Sequence, residues 1–307
     1  MVARGAAVAD EHATRRHGYL LLVVLALAWG FGWPVNKALL AEVPALWVIA
    51  MRSVIALVTV VALMLPGRRL ALPPRADLPV LLSIALLHMT GYAVLVAFGL
   101  ALIPTGRSVV LAYTTPLWAY PAAWLFLGER LTARRLTGGA LGLLGLGVLF
   151  NPLAFDWHDR AALLGNGALL VAAVLWAANI VHIRGHRWVS TPFALVPWEL
   201  ALATVLLGGL ALAIDGPLEV AWTPRLALLL LYAGIPGSAL TFWASASASR
   251  ALPSSTMSLG LLGVPPVSIV VAAVTLGEMP GWPVLAAVVL ILGGIALGAA
   301  ERARGRA

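Results

Sequence analysis

Uncharged apolar runs close to the length of a bilayer crossing dominate this sequence. Leu20–Val35, Leu78–Leu102 and Ala251–Gly277 contain no Asp, Glu, Lys or Arg. A helix rises about 1.5 Å per residue, so about 20 apolar residues cross the ~30 Å hydrocarbon core. Soluble domains are about 25% charged and about 45–50% apolar. Here 10% of 307 residues are charged and 62% are hydrophobic, too little charge to cover a water-soluble surface. The chain reads as an all-α, polytopic membrane protein. It has no cysteine, which excludes disulfides, thiolate catalysis and Cys-ligated metals. The net charge of +8 is scattered between the apolar runs, with no basic stripe and no stacked-aromatic module, so no nucleic-acid partner is expected. After a charged tail, the first run lacks a small-x-small cleavage pattern and reads as a retained span.

Proline, glycine and charge clusters divide the chain into ten predicted spans: 19–40, 44–65, 78–102, 105–127, 132–150, 161–184, 191–214, 225–250, 254–276 and 281–300. Fifteen of the 20 basic residues, among them Arg68, Arg69, Arg130, Arg184 and Arg306, fall in the tails and the even-to-odd connections. Lys37, Arg107, Arg160 and Arg225 fall on the other face, and Arg52 lies within a span. By the positive-inside rule both termini are expected in the cytoplasm, in an inner (plasma) membrane of bacterial type. Trp33, Trp47, Trp157, Trp222 and Trp282 lie near predicted outer ends, and Trp124 and Trp188 near inner ends. These read as interfacial anchors. Trp29, Trp118, Trp176, Trp198 and Trp243 lie deeper.

The halves of the chain repeat one another. Pro104, Pro116, Gly128 and Glu129 recur as Pro253, Pro265, Gly277 and Glu278, each 149 positions later. Trp29 and Lys37 match Trp176 and Arg184, and Pro44 matches Pro192. Five spans per unit is an odd number, so the second copy must enter from the opposite side. The expected organisation is a tail over 1–18, five-helix units over 19–150 and 151–300, and a tail over 301–307. Inverted repeats of this kind belong to alternating-access transporters, whose halves rock about a midplane site.

The order of these features resembles the EamA branch of the drug/metabolite transporter superfamily over about residues 18–298. Those features are a Trp-Gly pair in span 1, a Pro-started second span holding Arg52, mid-span prolines in spans 4 and 9, and terminal Leu-Gly-Glu at Leu127–Glu129 and Leu276–Glu278. The resemblance implies a basket-like bundle whose cavity is lined mainly by spans 1, 3, 4, 6, 8 and 9, with spans 5 and 10 peripheral. Within the family the chain looks most like the aromatic amino-acid exporters of the YddG type.

Polar groups within spans are costly and each needs a reason. His88 and Tyr92, at i and i+4, share a helix face with a cavity or with a neighbouring helix. Tyr113, Thr114 and Thr115 precede Pro116, which removes a backbone donor and loosens the helix. Gly260, Gly263, Pro265 and Pro266 form the counterpart in span 9, a break or a packing kink. Trp29, Trp118, Trp176, Asn179 and Trp243 complete the candidate substrate-binding set, the rings serving as stacking faces or as helix filler. Arg52 and Glu199 stand at near-equivalent positions after Pro44 and Pro192. The two need not meet: they read as a structural ion pair or hydrogen-bonded anchor between scaffold helices, or as a carboxylate ligand (Arg52) and a proton-coupling acid (Glu199). Glycine-rich spans 5 and 10 read as small-residue packing faces. His182 and His186 have metal-ligand spacing without a third ligand, so no metal and no cofactor is expected.

Three functions compete. A secondary transporter of small amphipathic metabolites, exporting aromatic or other neutral amino acids, fits the repeat best, with multidrug or quaternary-cation export as its alternative. No Walker sequence is present, so the chain carries no ATPase. A membrane-embedded enzyme would need His-Glu-x-x-His or Gly-x-Ser-x-Gly, and neither occurs, so no catalytic residue is assigned. A passive channel would need a ring of like groups. The expected partners are a small-molecule substrate and the lipid bilayer, with the chain a monomer or homodimer. A strongly anionic substrate is not expected, because the spans assigned to the cavity carry no mid-membrane Arg or Lys.

Overall fold

The computed structural model describes residues 2–67, 70–129, 132–150, 158–252 and 254–304, and these residues form helices without strands. Arg68, Arg69, Arg130, Trp157, Pro253 and Arg306 of the sequence reading lie outside them. Six spans are continuous: α1 (Val2–Leu40), α2 (Ala45–Met64), α7 (Ala133–Leu149), α8 (Arg160–Gly185), α9 (Pro192–Ile214) and α14 (Trp282–Arg304). The other four are broken, and the breaks repeat. Span 3 runs from α3 (Leu78–Ser83) through a π-helical turn (Ile84–Tyr92) into α4 (Ala93–Leu102). Span 8 does likewise from α10 (Pro224–Gly234) through Ile235–Ala239 into α11 (Leu240–Ala251). Span 4 is α5 (Thr105–Ala112) and α6 (Thr115–Leu127); span 9 is α12 (Ser254–Leu261) and α13 (Val264–Leu276). Among the described residues, seven helical segments are apolar and long enough to cross a membrane unaided. The remaining crossings are the broken span 4, the shorter helix α7 and the apolar stretch Trp282–Gly298 of α14.

Polar contacts fix which ends lie together. At one end the Lys37 ammonium donates to the carbonyls of Leu100 (2.6 Å) and Ile103 (3.0 Å). Glu278 accepts from the Thr105 amide there (2.6 Å), and Arg225 pairs with Glu42 (2.9 Å). Lys37 thus satisfies carbonyls left open where α4 ends, and Glu278 an amide left open where α5 begins. At the other end Glu129 pairs with Arg184 and with Arg135 (3.2 Å). Asp77, fully buried, accepts from Val189 N (3.1 Å), Ser190 N (2.8 Å) and Ser190 Oγ (2.6 Å), and meets His186 Nε2 at 2.9 Å. The Gly128-Glu129 and Gly277-Glu278 turns therefore sit at opposite ends of the bundle, as an inverted repeat requires. Both are closed by a glycine with positive φ, Gly128 at 66° and Gly277 at 70°, where a Cβ would strain the backbone.

The halves are interleaved. α2 packs on α9 and α7 on α14, while α1 packs on α11 and α13 just as α8 packs on α4 and α6. The α7–α14 seam is the closest approach: a Cβ on Gly138 would overlap the Gly294 carbonyl oxygen. That seam lies away from the cavity described next, and none of its residues lines it.

Candidate functional site

A cavity of about 180 Å³ occupies the bundle between its middle and the Glu278 end. Its apolar wall near that end includes Leu40, Val48 and Leu100; its polar level holds Asn36, Arg52, Ser53, Ser238 and Thr241. Rings close the middle. Trp176 stacks on His88 with centroids 5.4 Å apart and planes 8° from parallel, and Tyr92 meets His88 at 5.5 Å and Trp176 at 5.2 Å. Trp29 and Tyr113 complete the aromatic lining. Tyr113 stands at the gap between α5 and α6, where Thr114 and Thr115 turn their hydroxyls back onto the carbonyls of Leu111 and Ala112.

Both π-helical turns face this cavity, one through His88, Met89 and Tyr92 and the other through Gly237 and Ser238. A π-turn inserts an extra residue into the helical ladder and is frequent at functional sites. Pro236, which has no N–H, begins the second one. Ser238 spans it with a bond to the Ala233 carbonyl, five residues back (2.8 Å).

Of the predicted site residues, the structure brings Trp29, His88, Tyr92, Tyr113 and Trp176 together on the cavity wall. The other six lie elsewhere. Trp243 is 43% exposed on the outer face of α11, and its neighbour Phe242 takes the cavity side, since successive helical residues point about 100° apart. Asn179 is buried between helices, accepting from Ser83 Oγ at 3.1 Å. Thr114 is enclosed, with its Oγ accepting from Trp118 Nε1 at 3.2 Å, and Trp118 faces a separate apolar groove between α6 and α8. Pro116 and Pro265 start α6 and α13, and neither lines the cavity.

Two further expectations change, and a third that was open is narrowed. Trp33 is only 9% exposed and lines the cavity, so it is not an interfacial anchor. Spans 2 and 7 contribute lining residues, including Arg52 and Leu200, whereas span 9 contributes none. Arg52 and Glu199 form no ion pair with each other among the described residues; Arg52 Nη1 meets only Asn36 Oδ1, at 3.5 Å. The cavity therefore holds a guanidinium that the span assignment had left outside it. Position eight of a Pro-started span marked Arg52 as intramembrane, but not its direction.

The EamA-like transporter family model matches residues 16–151 and 163–299, most of both halves. The chain belongs to this family. It is a multi-pass membrane protein of a transporter family. It is 29% identical to the probable amino-acid metabolite efflux pump of Salmonella typhimurium over 92% of this chain and 94% of that one. It is 32% identical to the probable terminal-alkyne amino-acid exporter of Streptantibioticus cattleyicolor over 67% of this chain and 68% of that one. A solved crystal structure covers 97% of the chain and 99% of its own with a TM-score of 0.63, at 23% identity, a likeness of fold.

Proposed function

We propose that the protein is a secondary transporter that works by alternating access and exports small amphipathic metabolites, aromatic and other neutral amino acids first among them. The observation that carries this reading is the cavity: a stack of rings faces a polar level inside a bundle whose halves are inverted copies. A cavity of about 180 Å³ falls below the roughly 300–1,000 Å³ of drug-sized pockets, which favours an amino-acid-sized ligand over a bulky drug. An aromatic side chain gains about 0.5–1.5 kcal/mol from an offset ring contact beyond burial of its area. Relatives named as probable amino-acid exporters or amino-acid metabolite efflux pumps support the same class.

In this reading the Glu129 end, which carries the arginine excess, is cytoplasmic, as are both termini. The cavity then reaches toward the outside. Two apolar clusters, one around Ala56, Val60 and Leu200 and one around Val80, Leu81 and Leu195, lie on its cytoplasmic side. The decisive experiment is counterflow in proteoliposomes with radiolabelled Phe, Trp, Leu and a cationic drug. Saturable exchange of the amino acids is expected. Exchange of the cation alone would sink the substrate assignment, and linear, unsaturable flux of everything would indicate a channel.

A further inference from the structure

Arg52 reaches the cavity from α2, at the level of Ser53 and His88. A guanidinium carries five N–H donors in a planar fork. Among the described residues, Arg52 makes one hydrogen bond, to Asn36 Oδ1 at 3.5 Å, beyond the 2.7–3.2 Å of a well-made bond. No acidic side chain lines the cavity, so nothing in its wall offsets this charge. Glu199, the other intramembrane charge of the scaffold helices, is buried outside the lining and is not paired with it. A cation held in a low-dielectric interior is stabilised by a hydrogen-bonded counter-charge. Among the described residues none supplies one in this state.

We infer that Arg52 is the carboxylate anchor of the cavity, and that the ligands are small monocarboxylates with an apolar or aromatic tail, for which the amino group is dispensable. This rests on the reading of the cavity as the transport site. The fork of Arg52 matches two carboxylate oxygens, giving a bidentate pair of the strong, charge-assisted kind. With the carboxylate there, the tail extends toward the His88–Trp176 stack. The ammonium of an amino acid finds only neutral acceptors, such as Asn36 Oδ1 and the hydroxyls of Ser238 and Thr241. These two hydroxyls already donate to backbone carbonyls, leaving their oxygens to accept. Loss of the ammonium therefore costs little, whereas an amine lacking a carboxylate meets an uncompensated like charge.

Four congeners sharing one ring separate these terms: phenylalanine, 3-phenylpropanoate, 2-phenylethylamine and phenylalaninamide. Their dissociation constants for the purified full-length protein are read by titration calorimetry. Phenylalanine and 3-phenylpropanoate should bind within about fivefold of each other, and the amine and the amide at least about tenfold more weakly. Arg52→Gln should remove the advantage of the two acids, and Arg52→Lys should restore part of it. Should Arg52→Gln fail to fold, the wild-type series alone decides. Equal binding of acid and amine, or acid affinity unchanged in folded Arg52→Gln, overturns the anchor while leaving amino-acid export standing. Binding of leucine and 4-methylpentanoate but of no ring compound upholds the anchor and overturns the aromatic preference. Absence of binding by all six overturns both.

Discussion

Glu199 is 3% exposed, and its Oε1 meets no hydrogen-bond donor. A buried carboxyl in that condition costs stability, and an apolar side chain of similar volume removes the cost. Glu199→Met should therefore keep or raise the melting temperature of the purified protein; a clear fall would reveal a partner that stabilises the carboxyl. Asn179 is the opposite case, a polar group whose bond to Ser83 joins α8 to span 3. Such interhelical bonds are worth about 0.6 kcal/mol on average and up to about 1.7. Asn179→Ala should lower stability by about 1 kcal/mol in a denaturant titration while ligand affinity stays within about twofold. The tryptophans divide by direction. Trp176→Ala removes the ring stacked on His88 and should weaken phenylalanine binding about tenfold, consistent with loss of one ring contact and its buried area. Trp243→Ala, on the outer face, should leave the same dissociation constant unchanged. Equal losses in both would mean that the aromatic wall is wrongly drawn.

At the level of helices, the break in span 4 was legible because Pro116 leaves a donor gap that the turn at Tyr113 and Thr114 absorbs. Its counterpart at Leu262 and Gly263 followed from the repeat and from Pro265. The π-turns of spans 3 and 8 were not legible. Ile84–Tyr92 sits in an apolar run, and periodicity carries no phase where nearly every residue is apolar. His88 and Tyr92 were paired correctly, since side chains four apart still meet across the wider turn, yet the pairing alone did not say which neighbour they would face. Gly138, Gly139, Gly142, Gly145 and Gly147 of span 5 and Gly293, Gly294 and Gly298 of span 10 mark two packing faces in the sequence, but not that the faces meet each other. Five of these enter the contact: Gly138, Gly145 and Gly294, with the backbone of Gly298 against Gly138 and that of Gly142 against Gly294. The open side of Gly142 is filled by Leu117, and Gly139, Gly147 and Gly293 face open space. Backbone lies directly against backbone at Gly138, so no side-chain rotation can relieve an added Cβ. Gly138→Val should cost about 1–3 kcal/mol, the usual cost of overpacking, and reduce the yield of folded protein. Because the seam is remote from the cavity, the folded fraction should bind phenylalanine as the wild type does. A selective loss of affinity would place the seam in the transport machinery.

The whole molecule is tied at both ends by residues that the inverted repeat makes equivalent, and the two ties are unequal. Glu42 and Arg225 at one end correspond to Ser190 and Asp77 at the other, each displaced by 148 positions. The first pair is a single contact at 2.9 Å with Arg225 70% exposed, and an exposed pair of this sort contributes little. In the second, a fully buried carboxylate gathers contacts from His186, Val189 and both the amide and the hydroxyl of Ser190. Opening at the Glu129 end must give up the stronger of these two equivalent ties, which favours the state whose cavity extends toward the Glu278 end. In the proposed alternating-access cycle, the populated state would depend on the difference between two ties rather than on the strength of either. Removing one hydrogen bond to a charged group should move a two-state population about tenfold. Met89 reports it well, because its side chain lines the cavity and packs into both apolar clusters on the Glu129 side. The native chain has no cysteine, so Met89→Cys is a lone label site. In that background Ser190→Ala should raise the rate of modification by a membrane-impermeant maleimide, applied from the Glu129 side, about tenfold, while Glu42→Ala should lower or not change it. If Ser190→Ala leaves the rate untouched, the Asp77 cluster does not hold the Glu129 end closed, and the preference for this state must come from the apolar clusters and the ion pairs of Glu129.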